Sequence, residues 1–288
     1  MAGRVGAMTD TLFLISGASG RVGRHLVAQL IESGHRVRAL TRSPEKADLP
    51  APVEVVGGSF ADLPDGLFDG VTAAFVFPAD GAGVFARAAV AHGVRRLVLL
   101  SSLAAALEHE RDRGSASQRH HSAIEKAVRS TGAEWTILRP GTFASNLLAW
   151  SHAIRFTGGV RGPYPTSAQA PIHEADVAAA AAVALTQPGH EGRIYPMTGP
   201  QALTRVEQLQ AIADAIGREL TFTEQTPEEF AAEMAQYGVD PDIVTMLLHY
   251  WSDTVTEPDV PRPPDALIGR PARTLAEWAR DHAADFGG

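Results

Sequence analysis

The stretch Leu12-Phe13-Leu14-Ile15-Ser16-Gly17-Ala18-Ser19-Gly20-Arg21-Val22-Gly23 constrains this chain more than any other. A short apolar run meets three glycines spaced GxxGxxG, and then Leu26 and Leu30 extend Val22 at helical spacing. The order reads as strand, tight turn and helix. Gly17 and Gly20 permit a sharp turn and let backbone N–H groups approach an anion with no Cβ in the way, while Gly23 lets the helix lie close to the strand. Unpaired N–H donors and the positive end of the helix dipole favour a pyrophosphate at that point. Gly34 ends the helix and Arg36-Val37-Arg38-Ala39-Leu40 reads as a second strand. The unit is therefore the strand-turn-helix-strand of a dinucleotide site, with Gly17, Ser19, Gly20, Arg21, Val22 and Gly23 as cofactor-binding candidates.

After the second strand comes Thr41-Arg42-Ser43-Pro44, at the place where an NAD-preferring site carries a carboxylate for the ribose hydroxyls. A cation there points to the 2′-phosphate of NADP(H), with NAD(H) disfavoured. Arg42, helped by Arg21 and Ser43, is expected to hold that phosphate through charge-assisted hydrogen bonds.

Val53–Val56, Thr72–Phe77, Arg96–Leu100 and Trp135–Leu138 follow as strands, the last stopped before Pro140, with helices over 84–92 and 118–131 between them. Apolar strands alternating with helices predict an α/β fold: a Rossmann-like, doubly wound parallel sheet with a smaller, mainly helical C-terminal region. Ligands bind at the carboxyl ends of such strands, which brings Gly17, Arg42, Ser59, Phe77 and Ser101 to one edge, with Phe60 and Pro140 as further cofactor-binding candidates. We divide the chain into a dinucleotide-binding core, 1–140, and a dependent substrate-binding region, 141–288. Residues 103–117 read as a mobile loop beside the site, with Arg111 and Arg113 solvated among acidic neighbours. Phe143 to Phe156 suits a pocket wall, with Phe143 and Asn146 as substrate contacts. Asp176 reads as the N-cap of an Ala-rich helix over 177–186. Thr204 with Glu207, Thr226 with Glu229 and Thr274 with Glu277 mark three further helix starts. The prolines at 258, 261, 263 and 264 make an extended, lid-like connector.

Net charge of −8 and only two lysines, Lys46 and Lys126, argue against nucleic acid and anionic membrane as partners. With no cysteine, thiolate chemistry and Cys-ligated metal are excluded, and neither HExxH nor GxSxG occurs. No metal is expected. The cytoplasm is the default location, and Met1 or Met8 could be the start.

With these residues in hand, the chain resembles the NmrA-like branch of the atypical short-chain dehydrogenases, particularly type 2 NADPH:quinone oxidoreductase-like proteins. The resemblance runs through the glycine turn, Arg42, Trp135-Thr136-Ile137-Leu138-Arg139-Pro140-Gly141, Asp176-Val177-Ala178 and Tyr195-Pro196-Met197-Thr198-Gly199-Pro200. It implies NADP(H) binding, and either reduction of quinones and dyes or regulation without turnover through a protein partner; a homo-oligomer is also compatible. Members commonly carry Asp where this chain has Ser59.

Typical short-chain dehydrogenases lower the pKa of a Tyr with a Lys four residues on, so that the phenol can protonate a carbonyl oxygen. Four residues before Lys46 stands Arg42, and before Lys126 stands Ser122, so the pair is absent. The helix offers His121 and Lys126 as catalytic candidates instead, with His121 and Glu125 expected on one face. A chain lacking the phenol favours an acceptor that is already electrophilic, such as a quinone.

Overall fold

A computed structural model describes residues 11–288. The alternative start at Met8 lies outside them. In chain order the first half holds β1 (Leu12–Ser16), α1 (Arg21–Glu32), β2 (Arg36–Thr41), β3 (Glu54–Gly57), β4 (Val71–Val76), α2 (Ala82–Ala91), β5 (Arg96–Leu100), α3 (Ala116–Arg129) and β6 (Glu134–Pro140). The second half holds α4 (Ser151–Thr157), β7 (Gly159–Gly162), β8 (Ala168–Gln169), α5 (Glu174–Thr186), β9 (Arg193–Met197), β10 (Leu203–Thr204), α6 (Arg205–Ile216), β11 (Thr221–Glu224), α7 (Pro227–Gln236), α8 (Pro241–Thr256), α9 (Asp265–Ile268) and α10 (Leu275–Asp281).

Seven parallel strands form the central sheet in the order β3-β2-β1-β4-β5-β6-β9, a Rossmann-like α/β architecture. Side chains alternate between its two faces. Phe13 and Ile15 of β1 join Leu26 and Leu30 of α1 and Val177 and Ala181 of α5, whereas Leu12 and Leu14 join Phe85 of α2 and Val128 of α3. Helices on both faces explain why β1 is buried at every position. The Ala-rich sequence of α5 lets it lie against α1 and the sheet at once, and β9 adds the last strand. The 141–288 part therefore completes the sheet as well as carrying its own apolar cluster around Leu209, Ile212, Leu275, Trp278 and Phe286. The three Thr/Glu pairs form reciprocal capping boxes on α6, α7 and α10.

Five local expectations change. β6 continues through Pro140, because the N–H that proline lacks would face the side where β5 has already ended. Asp176 is not a cap. The Nδ1 of His173 caps α5, and the fully buried Asp176 carboxylate in the first turn takes Arg270 at 2.7 Å and both the guanidinium and backbone N–H of Arg273 at 2.6 Å. The 103–117 segment is not free: short 3₁₀ turns at 103–106 and 110–112 shape it, and Arg262 grips Glu108 through two hydrogen bonds of 2.9 and 2.6 Å. Arg111 is not solvated either, pairing with Asp253 at 3.3 Å. The proline connector is bound in its turn, since Thr198 and Arg262 exchange hydrogen bonds and Asp259 N–H donates to the Ala168 carbonyl. Among the described residues, no helix is long and apolar enough to cross a membrane.

Candidate active site

Gly17 opens the turn with φ +65°, a conformation that costs an L side chain energy, and a Cβ there would stand 2.9 Å from the Phe77 ring. A Cβ on Gly23 would fall 2.1 Å from the Gly17 carbonyl oxygen, so Gly23 lets the first turn of α1 lie on the glycine turn itself. Gly20 N–H donates to Gly17 at 2.9 Å, and the first bond into the helix is Arg24 N–H to Gly20. No side chain caps α1, and the N–H groups of Arg21, Val22 and Gly23 have no partner among the described residues. These free donors, over a cradle that any Cβ would fill, fit the pyrophosphate of a dinucleotide. The Val22 side chain belongs to the core, so only its backbone faces the site. Ser16 fixes the floor: its Oγ donates to the Phe75 carbonyl and accepts from Phe77 N–H.

Ser19 Oγ lies 3.2 Å from Thr41 Oγ1, which joins the turn to the end of β2, where Arg42 stands exposed without a partner among the described residues. Arg21 reaches the other way. Its Nη1 donates to the Ser145 carbonyl, in the segment that follows β6, and not towards the end of β2. Arg21 thus lies apart from Arg42, which it was expected to help in holding the 2′-phosphate. Arg24, not singled out from the sequence, takes the β2 side: its Nε donates to the Ser19 carbonyl at 2.8 Å and its Nη1 lies 3.7 Å from Asp48.

In the loop after β3, Ser59 is spent on its own turn, its Oγ accepting from Asp62 N–H, and the Phe60 ring packs on Phe85 with centroids 4.6 Å apart. Both side chains support the loop. Ser101 also turns inward, donating to Glu125 Oε1 at 2.6 Å. Glu125 is 3% exposed and further takes two bonds from Arg139, at 2.8 and 2.7 Å, and one from Arg129 at 2.8 Å. Burial alone would raise its pKa, but the Arg139 and Ser101 hydrogen bonds outweigh it and hold the carboxyl below its usual range. Glu125 thus faces the ends of β5 and β6 instead of pairing with His121.

His121 is half-buried, and its Nδ1 has no partner among the described residues. Burial, with His120 beside it, pushes its pKa down to about 4. A neutral imidazole donates a hydrogen bond to a developing oxyanion but does not give its proton up at neutral pH. We therefore expect its ring carbon shifts, followed by NMR, to show no titration between pH 5 and 8; a midpoint near 6.5 would return it to the role of general acid. The unfolded chain takes up this proton near 6.5 and the folded chain only near 4, so the site weakens stability as pH falls across that window. Lys126 is exposed and lines a surface cavity of about 490 Å³ with Ser122, Arg129 and Arg139, apart from His121.

Pro140 is buried at the end of β6, and Gly141 after it stands where a Cβ would meet Leu103 and Thr198 at 3.1 and 3.2 Å. Phe143 pairs with Ile172 and packs on the core, while Asn146 is exposed in the 3₁₀ segment 144–150. Thr142 Oγ1 donates to the Tyr250 hydroxyl at 3.0 Å, so the fold brings a tyrosine to the strand ends from α8. It is not a substitute acid. Its proton is committed to Asp259, and burial with that carboxylate pushes the phenol pKa well up.

A seven-stranded parallel sheet with a glycine cradle at the carboxyl end of β1 defines a dinucleotide-binding Rossmann protein. The chain belongs to the NAD(P)H-binding family, which matches residues 17–188. It is 38% identical to a (4-alkanoyl-5-oxo-2,5-dihydrofuran-3-yl)methyl phosphate reductase of Streptomyces griseus, with 96% of this chain and 99% of that protein covered. It is 33% identical to an NAD(P)H azoreductase of Xenophilus azovorans over the same shares. An NADPH-dependent quinone oxidoreductase from Escherichia coli superposes with a TM-score of 0.75 at 26% identity, covering 93% of this chain and 98% of that one. The protein is an NAD(P)H-dependent reductase acting on a small molecule.

Proposed function

We propose that this reductase prefers NADPH and passes hydride to a quinone or a similarly activated, carbonyl-conjugated acceptor. The observation that carries the reading is a complete dinucleotide cradle beside a site with no acidic phenol: no lysine follows a tyrosine at the required spacing, and Tyr250 is locked on Asp259. Bound NADPH supplies the hydride. The acceptor's electrophilic carbon takes it, an electron pair moves to the conjugated oxygen, and that oxygen takes a proton from water.

This chain's residues do the rest. The free N–H groups of α1 bind the pyrophosphate, and Arg42 with Arg24 holds the 2′-phosphate. Phe143 and Asn146 line the acceptor site, and His121 donates a hydrogen bond to the oxygen on which charge develops. The unsaturated, carbonyl-bearing ring in the S. griseus relative's substrate name and the quinone in the E. coli neighbour's name support an acceptor of this class. NADPH oxidation measured against p-quinones, azo dyes, unsaturated lactones and simple ketones tests it. Turnover of activated acceptors with ketones inert is expected; ketone turnover at comparable rates, or none with any acceptor, overturns it.

A further inference from the structure

Most arginines near the carboxyl ends of β5, β6 and β9 are matched by a carboxylate. Arg139 has Glu125 at 2.7 Å, Arg111 has Asp253 at 3.3 Å and Asp259 at 3.9 Å, and Arg262 has Glu108 at 2.6 Å. Arg21 is different. It is exposed, pairs with no carboxylate among the described residues, and is tethered by Nη1 to the Ser145 carbonyl, a neutral acceptor that fixes the guanidinium without cancelling its charge. The tether joins the start of α1 to the segment 144–150, and the neighbouring Asn146 has a side-chain amide without a partner among the described residues. A cation in the first turn of a helix also opposes the macrodipole, and α1 has no acid there to relieve it. The position is electrostatically unfavourable until an anion arrives.

We infer that Arg21 selects acceptors carrying an anionic group, a carboxylate or a phosphate, and disfavours cationic ones. The inference rests on the reductase reading above. The cofactor's pyrophosphate, the competing source of negative charge, is served by backbone N–H groups, which leaves Nε and Nη2 of Arg21 for the acceptor. Charge-assisted bonds of this kind are worth about a ten- to hundredfold change in affinity.

The test compares three quinones with one reacting ring, bearing no charge, a carboxylate or a trimethylammonium group, in wild type, Arg21→Gln and Arg21→Ala. In both variants kcat/KM for the carboxylate quinone should fall about ten- to a hundredfold, the neutral quinone should change less than about threefold, and the cationic quinone should improve. NADPH affinity by calorimetry should stay within about threefold. Equal falls for all three quinones, or a matching loss of NADPH affinity that assigns Arg21 to the pyrophosphate, would overturn the inference. A wild type that reduces no quinone refutes the quinone-acceptor reading instead. Arg21 is then decided by calorimetry of the carboxylate-bearing hydroquinone on the NADP⁺-loaded protein: binding lost in Arg21→Ala supports it, and binding retained, or absent from wild type, overturns it.

Discussion

Glu125→Ala is expected to destabilise the protein by about 3–5 kcal/mol, the range for breaking a buried ion pair by removing one partner. The carboxylate is 3% exposed and accepts from Ser101, Arg139 and Arg129, and the Arg139 side chain is itself only 15% exposed. Alanine would leave the largely buried Arg139 guanidinium at the wall of the surface cavity with its main counter-charge gone. Urea unfolding reads the loss directly; a change below about 1 kcal/mol would show that the arginines rehydrate and that the cluster is a weak brace. Glu125→Gln, which keeps shape and one hydrogen-bonding oxygen, should cost less. The depressed carboxyl pKa fixes the sign of the pH effect: its stabilisation is present above the unfolded value near 4.5 and is lost as pH falls through the lower folded value. Glu125→Ala should flatten that part of the acid limb.

Arg42→Ala is expected to weaken NADPH binding by about 1.5–3 kcal/mol, roughly ten- to a hundredfold, and to leave NADH unchanged. The exposed, unpartnered guanidinium at the end of β2 motivates the first half, and the missing 2′-phosphate of NADH the second. Arg24→Ala should give a smaller loss with the same selectivity, since that side chain is anchored on the Ser19 carbonyl beside the same loop. Asp48, 3.7 Å from Arg24, would compete with a phosphate held there, so Asp48→Asn should tighten NADPH modestly. All of these effects should fade with added salt, because the site is near the surface. Calorimetric titration of both cofactors decides it: equal losses for NADH and NADPH in Arg42→Ala would mean that Arg42 merely supports the loop.

By itself the sequence determined whatever depends on neighbours along the chain. The glycine spacing required a strand-turn-helix, continuous apolar strands alternating with helices required a parallel sheet covered on both faces, and the Thr/Glu pairs marked the starts of α6, α7 and α10, each through contacts within four residues. The position of Arg42 directly after β2 was legible for the same reason, since β2 alone fixes it. Side chains that reach across the sheet were not legible. Arg21 and Arg24 are three residues apart and so neighbours on one helix face, yet one reaches towards Ser145 and the other holds Ser19, because a long side chain goes to whichever acceptor the packed segments bring within reach. Helical spacing placed Glu125 with His121, whereas burial turned the carboxylate to Arg139, the partner able to neutralise it. Asp176, read as a local cap, is claimed by arginines more than ninety residues away. Tyr250 reaches Thr142 only because α8 folds back over the strand ends. Hydrogen bonds and ion pairs between distant segments are decided by which groups packing removes from water together, and that is a property of the tertiary structure alone.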